Sequence, residues 1–321
     1  MEEYYLNNIT LKVKSNVAVA GTSISGFCTN AAGASLYFTG TECTKVVYTS
    51  STSGSTGYPR ESYSTANIVR SIISLDQSTI PSIASFQFHI PDQVPSSMYH
   101  KDGNGSYCCV SYQLKLQLGR EVVEVLPIQI ISKPSSPSSL ILPYVEKHVR
   151  RRLMLACCIP KGSIETSVKV DNTILGNGGI LKVYLELVNN SAVDIKWISF
   201  DLFEHIDWNS CSHYTSDIAL AASKKVPGLQ GIKQRAIMKG AKNNTIRPIA
   251  STSYEVFLRV PDSTLHTCTG NMFEVRHYLN IRAHTKCGFT DVRMQVPIKI
   301  TSSRKSMIRG NTSLRSTHEC L

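Results

Sequence analysis

The sequence predicts an all-β protein built as two β-sandwich domains in tandem. Three observations carry this expectation. Apolar and polar residues alternate with a period of two through most of the chain; Gly, Pro, Asn and Ser turns separate the alternating runs; and the pattern of the first half recurs in the second.

The strand candidates follow in order. Ile9-Thr10-Leu11-Lys12-Val13 alternates, as do Phe86-Gln87-Phe88-His89-Ile90 and Tyr112-Gln113-Leu114-Lys115-Leu116-Gln117-Leu118. Residues 122–131 read as a further strand. Leu181-Lys182-Val183-Tyr184-Leu185-Glu186-Leu187 and Val256-Phe257-Leu258-Arg259-Val260 repeat the pattern. Such alternation marks strands with one buried face, and strands at this density imply sandwiches. The best helical candidate, residues 139–156, contains Pro143 and has an untidy apolar pattern, so it reads as linker and strand. Residues 49–66, rich in Ser, Thr, Gly and Tyr, read as a long surface loop of the first domain.

The second half echoes the first. Phe86-Gln87-Phe88-His89-Ile90-Pro91-Asp92 matches Val256-Phe257-Leu258-Arg259-Val260-Pro261-Asp262. The strand from Val110 matches that from Val275, and the turn at Ala20-Gly21-Thr22 loosely matches Leu175-Gly176-Asn177. Three echoes in one order imply two domains of related fold. Pro91 and Pro261 lack an N–H and so end strands, Asp92 and Asp262 can bond forward into the following turn, and Gly21 and Gly176 suit turns of positive φ. The domains are placed at 1–132 and 161–301. The Ser/Pro-rich stretch beginning at Ser132 opens a linker and hinge over 133–160, and a basic, mobile tail covers 302–321.

Composition sets the class. The chain has 321 residues, 42% hydrophobic and 18% charged, which suits globular domains rather than disorder. The net charge of +11 is concentrated. Residues 143–161 carry five Lys and Arg against Glu146, residues 220–250 carry seven and no acid, and residues 301–321 carry four against Glu319. Such clusters attract phosphates, anionic lipid or acidic peptide; the plainer reading is solvated loops that keep the protein soluble.

The 10 cysteines are irregularly spaced with no C-x-x-C. The adjacent pairs Cys108–Cys109 and Cys157–Cys158 place their thiols on opposite faces of a strand, and Cys211 with His213 and Cys268 with His266 lack a second matched pair for zinc. Buried free thiols are the expectation. The acidic N-terminus, Met1-Glu2-Glu3-Tyr4-Tyr5, has no apolar leader, so a cytoplasmic location with reduced thiols is expected. No P-loop, G-x-G-x-x-G after a strand, H-E-x-x-H or G-x-S-x-G occurs. Glu204 and Asp207 flank His205 but face apart on a strand, so no catalytic, cofactor-binding or metal residue is predicted. The basic runs lack the interleaved aromatics of a nucleic-acid platform, so no nucleic-acid partner is expected.

The order of strand, glycine turn, strand and proline corner resembles the arrestin superfamily. Ala20-Gly21-Thr22-Ser23-Ile24-Ser25-Gly26 is similar to its P-G-E-x-Φ-x-G turn, and residues 86–97 are similar to its F-x-F-x-Φ-P-x-x-x-P-S-S corner. Gly162-Ser163-Ile164 and Leu187-Val188-Asn189-Asn190-Ser191, followed by the 195–198 strand, resemble its second-half pattern. The α-arrestin, or arrestin-domain-containing, branch is closest. The resemblance spans roughly residues 9–301 and implies two immunoglobulin-like sandwiches, the arrestin-like N and C domains. It implies a non-enzymatic cytosolic adaptor, peripheral to the plasma membrane or endosomes, that binds receptor or transporter tails and trafficking machinery in endocytosis and protein transport. The chain departs from many α-arrestins in having no P-P-x-Y motif for WW-domain ligases. A retromer-type coat subunit of the same fold, and an unrelated two-sandwich binding protein, stand as alternatives.

Two basic clusters are the candidate contacts for an anionic partner, including lipid headgroups. The first is Lys147, Arg150, Arg151 and Arg152 in the hinge, where the alternative is an interdomain salt-bridge network with acids such as Asp201 or Glu204. The second is a loop bearing Lys224, Lys225, Lys233, Arg235 and Lys239. Exposed edge strands offer a third route, accepting a partner's peptide as an added strand.

Overall fold

The computed structural model describes residues 9–50, 58–75, 83–132, 145–155, 159–228, 250–285 and 291–301. Their regular structure is all β, and no helix among them is long and apolar enough to cross a membrane. The first half contributes β1 (Thr10–Val13), β2 (Val17–Val19), β3 (Ser23–Thr29), β4 (Ala34–Ser50), β5 (Tyr58–Ser74), β6 (Ile83–His89), β7 (Met98–Lys101), β8 (Tyr107–Leu118) and β9 (Glu121–Ile131). The second contributes β10 (Val145–Leu155), β11 (Ile159–Val170), β12 (Ile174–Gly176), β13 (Ile180–Ser191), β14 (Ile195–Ser210), β15 (His213–Pro227), β16 (Ala250–Arg259), β17 (Cys268–Thr269), β18 (Phe273–Thr285) and β19 (Val292–Thr301).

The two halves share one topology. A sheet ordered β1-β3-β6 faces a sheet ordered β2-β9-β8-β4-β5, with β7 beside β8. In the second half the corresponding orders are β11-β13-β16, extended by β10, and β12-β19-β18-β14-β15, with β17 beside β18. The parallel pairs also correspond, β2 with β9 and β12 with β19. This is the tandem repeat that the echoed motifs predict.

Alternation builds both cores. In the first sandwich the inward residues Ile24, Cys28, Leu36, Phe38, Phe86, Phe88, Leu114 and Leu116 form one buried cluster. Burying a side chain of that size contributes about 1.5–3 kcal/mol. In the second, Ile164, Val168, Val183, Leu185, Phe200, Leu279 and Val296 do the same. The proline corners end their strands as expected: the last residues of β6 and β16 lie two positions before Pro91 and Pro261.

The turn glycines correspond only in part. Gly21 has φ +78°, as expected, but in the second half the positive φ of +74° belongs to Gly178, while Gly176 ends β12. Other expectations are corrected. Residues 58–66, read as part of a long loop, belong to β5, which pairs with β4 out to Ser50↔Tyr58; residues 51–57 lie outside the described residues. The half-buried face of β5 here is Ser62, Ser64 and Ala66, which leave no apolar stripe, so composition suggested a loop. Residues 145–155, within the stretch read as linker and strand, form β10, which lies along β11 at the edge of the four-stranded sheet.

The long strand β14 links the two cores. Its inward residues Ile198, Phe200 and Leu202 pack in the second core, whereas Ile206 and Trp208 join the first, together with Phe273 and Val275 of β18. At about 3.3 Å per residue, a 16-residue strand is long enough to reach from one core to the other.

Candidate functional site

The predicted basic residues fall into two groups on different strands, and part of the second lies outside the described residues. Lys147, Arg150, Arg151 and Arg152 lie on β10 and Lys224 and Lys225 on β15, whereas Lys233, Arg235 and Lys239 lie outside the described residues. β10 and β15 are edge strands of the two different sheets of the second sandwich. The sites are therefore not one surface.

Strand geometry also divides the arginine triplet. Arg151 stands opposite Ile164, a core residue, and shares its parity with Val145, Val149 and Leu153. Arg150 and Arg152 point from the other face, opposite Glu165 and Ser163. Arg150 pairs with Glu165 at 3.1 Å, and Lys147 Nζ donates to the Gln295 carbonyl at 2.6 Å. The interdomain network suggested with Asp201 or Glu204 is not what holds these cations. Asp201 accepts from the Ser223 hydroxyl, and Glu204 accepts from the Leu265 amide at 2.7 Å and lies 3.2 Å from His277 Nε2. Arg150 and Arg152 are exposed on the open face of an edge strand.

Lys224 and Lys225 likewise lie on a strand rather than a loop. Lys225 stands opposite Ser199, Ser199 opposite Arg282, and Arg282 opposite Arg293, so a transverse row of three cations crosses the outer face of β15, β14, β18 and β19. Lys225 Nζ lies 5.9 Å from the Trp197 ring, which stacks on His284 at 4.7 Å. Arg282 is tied to Asp291, with its Nε 2.6 Å from Oδ2. Burial pushes the Asp291 carboxyl up, but the Thr285 amide and Arg282 outweigh it and hold the group below its usual range. Two rows further along, Leu220, Phe203, Tyr278 and Pro297 form an apolar stripe, with Phe203 and Tyr278 stacked at 5.5 Å. This face combines exposed cations, aromatic rings and an open edge at β15. Arg282 and Arg293 escape sequence reasoning because nothing in their separate sequence neighbourhoods marks them; only cross-strand register brings them beside Lys225.

A second polar cluster lies where the sandwiches meet, and no basic run signals it. Glu42 on β4 is 1% exposed. Its carboxylate accepts from the backbone amides of Asn271 and Met272 at 2.9 and 3.0 Å. The Thr44 hydroxyl donates to the Asn209 carbonyl at 2.6 Å, and Trp208 Nε1 donates to the Lys45 carbonyl at 3.2 Å. His100 Nε2 lies 3.0 Å from Asp217, and Ser64 accepts from the Cys211 amide at 2.9 Å. His266 Nδ1 lies 3.3 Å from the Ser96 hydroxyl; burial, then the neighbouring His277, push its pKa down. A sequence signal for Glu42 did exist. It holds a position whose parity is otherwise that of Leu36, Phe38 and Val46, so an acid there has to meet a partner inside.

Among the described residues no three His, Cys, Asp or Glu side chains are grouped to hold a metal. Glu204 turns inward to His277, while Asp207 lies near His205 at 3.2 Å and bonds Arg276 and Tyr214. The two acids face apart, as expected.

No curated protein matches the chain. Residues 160–305 match the family model described as arrestin (or S-antigen), C-terminal domain. That stretch spans β11–β19, so the second sandwich, which carries the cation row, is similar to that domain.

Proposed function

We propose that the protein is a non-enzymatic, arrestin-like adaptor that binds extended, acidic segments of membrane cargo proteins or trafficking machinery. The observation that carries this reading is the placement of exposed cations on both edge strands of the arrestin-like second sandwich. An edge strand presents unpaired N–H and C=O groups that can take an added peptide strand, and cations beside it favour acidic or phosphorylated sequences. On β15 the cations belong to the row Lys225, Arg282 and Arg293, beside an aromatic pair. On β10 they are Arg150 and Arg152.

Within this reading the domains are 1–132 and 161–301, joined through 133–160 and followed by the tail 302–321. The α-arrestin branch, a cytoplasmic location near plasma membrane or endosomes, a role in endocytosis and a contribution from anionic lipid belong to the same proposal. Lys233, Arg235 and Lys239, outside the described residues, are proposed as further contacts for an anionic partner.

The test is a peptide array of cytosolic receptor and transporter tails, unmodified and phosphorylated, probed with the full chain and with a variant in which Arg150, Arg152, Lys224 and Lys225 are Gln. Acidic or phosphorylated peptides are expected to bind, more weakly at higher salt, with about tenfold or greater loss in the variant. Equal binding by both proteins would overturn the basic-surface assignment. Obligate co-purification with large fixed partners, and no peptide binding, would favour a coat subunit instead.

A further inference from the structure

We propose that Cys43 and Cys109 form a peroxide-oxidisable cross-strand dithiol, a modification site that closes to a disulfide on the outer face of the first sandwich's six-stranded sheet.

Register places the two thiols together. Cys43 on β4 stands directly opposite Cys109 on β8 in an antiparallel pair. Directly opposed residues share a face, with Cα atoms about 4.5–5.5 Å apart in either kind of antiparallel pair. Disulfides span about 4.4–6.8 Å between Cα atoms, so the bond forms without moving a strand. The neighbouring Cys108 points the opposite way, into the core with Val110 and Leu114.

The surroundings assign different roles to the two sulfurs. Cys43 is half-buried, and the Thr65 hydroxyl lies 3.8 Å from its Sγ. Hydrogen bonds to the Cys43 sulfur, from Cys109 foremost and then from Thr65 and Thr41, outweigh burial and the nearby Glu42 and pull its pKa down to about 6. Hydrogen bonds to the charged form favour the thiolate, the nucleophile in peroxide chemistry. Cys109 is 2% exposed; Tyr99 stands opposite it on the far side and stacks on Tyr107 at 6.0 Å. Cys109 is thus shielded from solvent and met by Cys43. Cys28, Cys108 and Cys268 are pushed up to about 11–12, chiefly by burial, and are inert by comparison.

The chemistry takes two steps with a hydroperoxide as oxidant. The Cys43 thiolate attacks the terminal peroxide oxygen; the O–O bond breaks, and the leaving alkoxide or hydroxide takes a proton to leave as alcohol or water. Cys43 is then a sulfenic acid. The Cys109 sulfur attacks it, the S–O bond breaks, the S–S bond forms, and the thiol proton leaves with the hydroxyl as water. The peroxide gains two electrons, one from each sulfur.

The test treats the reduced full chain with one equivalent of hydrogen peroxide at pH 7, blocks the remaining thiols and maps peptides without reduction. Fragmentation has to separate Cys43 from Cys28 and Cys109 from Cys108, which share tryptic peptides. The expected product is a Cys43–Cys109 link, two hydrogens lighter, formed about tenfold faster than any change at Cys28. In Cys109→Ser, Cys43 is expected to stop at the sulfenic acid and to be captured by a cyclic 1,3-diketone. In Cys43→Ser, Cys109 is expected to stay a thiol. Cys43 reacting no faster than Cys28 in the wild-type chain and in a folded Cys109→Ser variant, or linking to a cysteine other than Cys109, would overturn the proposal.

Discussion

Glu42 shares the inward parity of Leu36, Phe38 and Val46, and the amides of Asn271 and Met272 make a carboxylate tolerable there. Removing the carboxylate leaves buried donors without an acceptor, at about 1–3 kcal/mol each. Glu42→Ala is therefore expected to lower the urea midpoint of the full chain markedly, and Glu42→Gln less, since an amide oxygen still accepts. Histidine burial gives a pH dependence at the same junction. His266 is held below the ordinary histidine value of 6.5, so the unfolded chain binds the extra proton first. Its contribution is fully present above pH 6.5 and is lost as pH falls below that value through the depressed folded pKa. Unfolding followed from pH 8 to 5 should show this decline, and His266→Gln should flatten it. Asp207 and Asp291 act lower: burial raises both, but hydrogen bonds to Tyr214, Arg276, Thr285 and Arg282 leave them depressed below 3.8, so their stabilisation persists at neutral pH and disappears in acid. The residue pattern made Glu42's parity legible, but not its partners, which lie 229 and 230 positions away.

At the scale of elements, alternation located several strands with one clean face, but not β4 or β19, and missed the first half of β5, which has none. The segments 112–118 of β8, 181–187 of β13 and 256–260 at the end of β16 were legible because their inward positions are apolar. The first half of β5 was not, since Arg60, Glu61, Ser62, Ser64 and Thr65 give no apolar stripe. The split of Arg150, Arg151 and Arg152 between two faces follows from the same period of two once β10 is known to be a strand. Close approach governs β4 at Gly40, where any Cβ would fall inside contact distance of the Tyr112 ring. Tyr112 is fixed there, its hydroxyl donating to the Pro95 carbonyl at 2.7 Å. Gly40→Ala is expected to destabilise by about 1–3 kcal/mol, read as a lowered melting temperature.

For the whole molecule, tandem sandwiches were legible because the echoed corners at Pro91 and Pro261 repeat in order. The union of the two halves was not, because cross-domain contacts have no local periodicity. Trp208 shows the point: it belongs to the second half in sequence but packs in the first core and donates to the Lys45 carbonyl. Trp208→Ala is expected to cost about 3–5 kcal/mol and to turn one calorimetric transition into two, as the sandwiches lose their coupling. The candidate site followed the same rule. Lys224 and Lys225 were visible as a basic run, whereas Arg282 and Arg293 joined Lys225 only through register across four strands.

The central claim is that cations on the edges of the second sandwich make this chain an adaptor for membrane cargo, and proximity labelling in cells tests it most directly. The intact chain is run beside the folded variant with Arg150, Arg152, Lys224 and Lys225 changed to Gln. Enrichment of receptors, transporters or endosomal proteins by the intact chain, with loss of part of that set in the variant, is the predicted result. No enrichment of membrane-associated proteins, or identical sets from both chains, would contradict it.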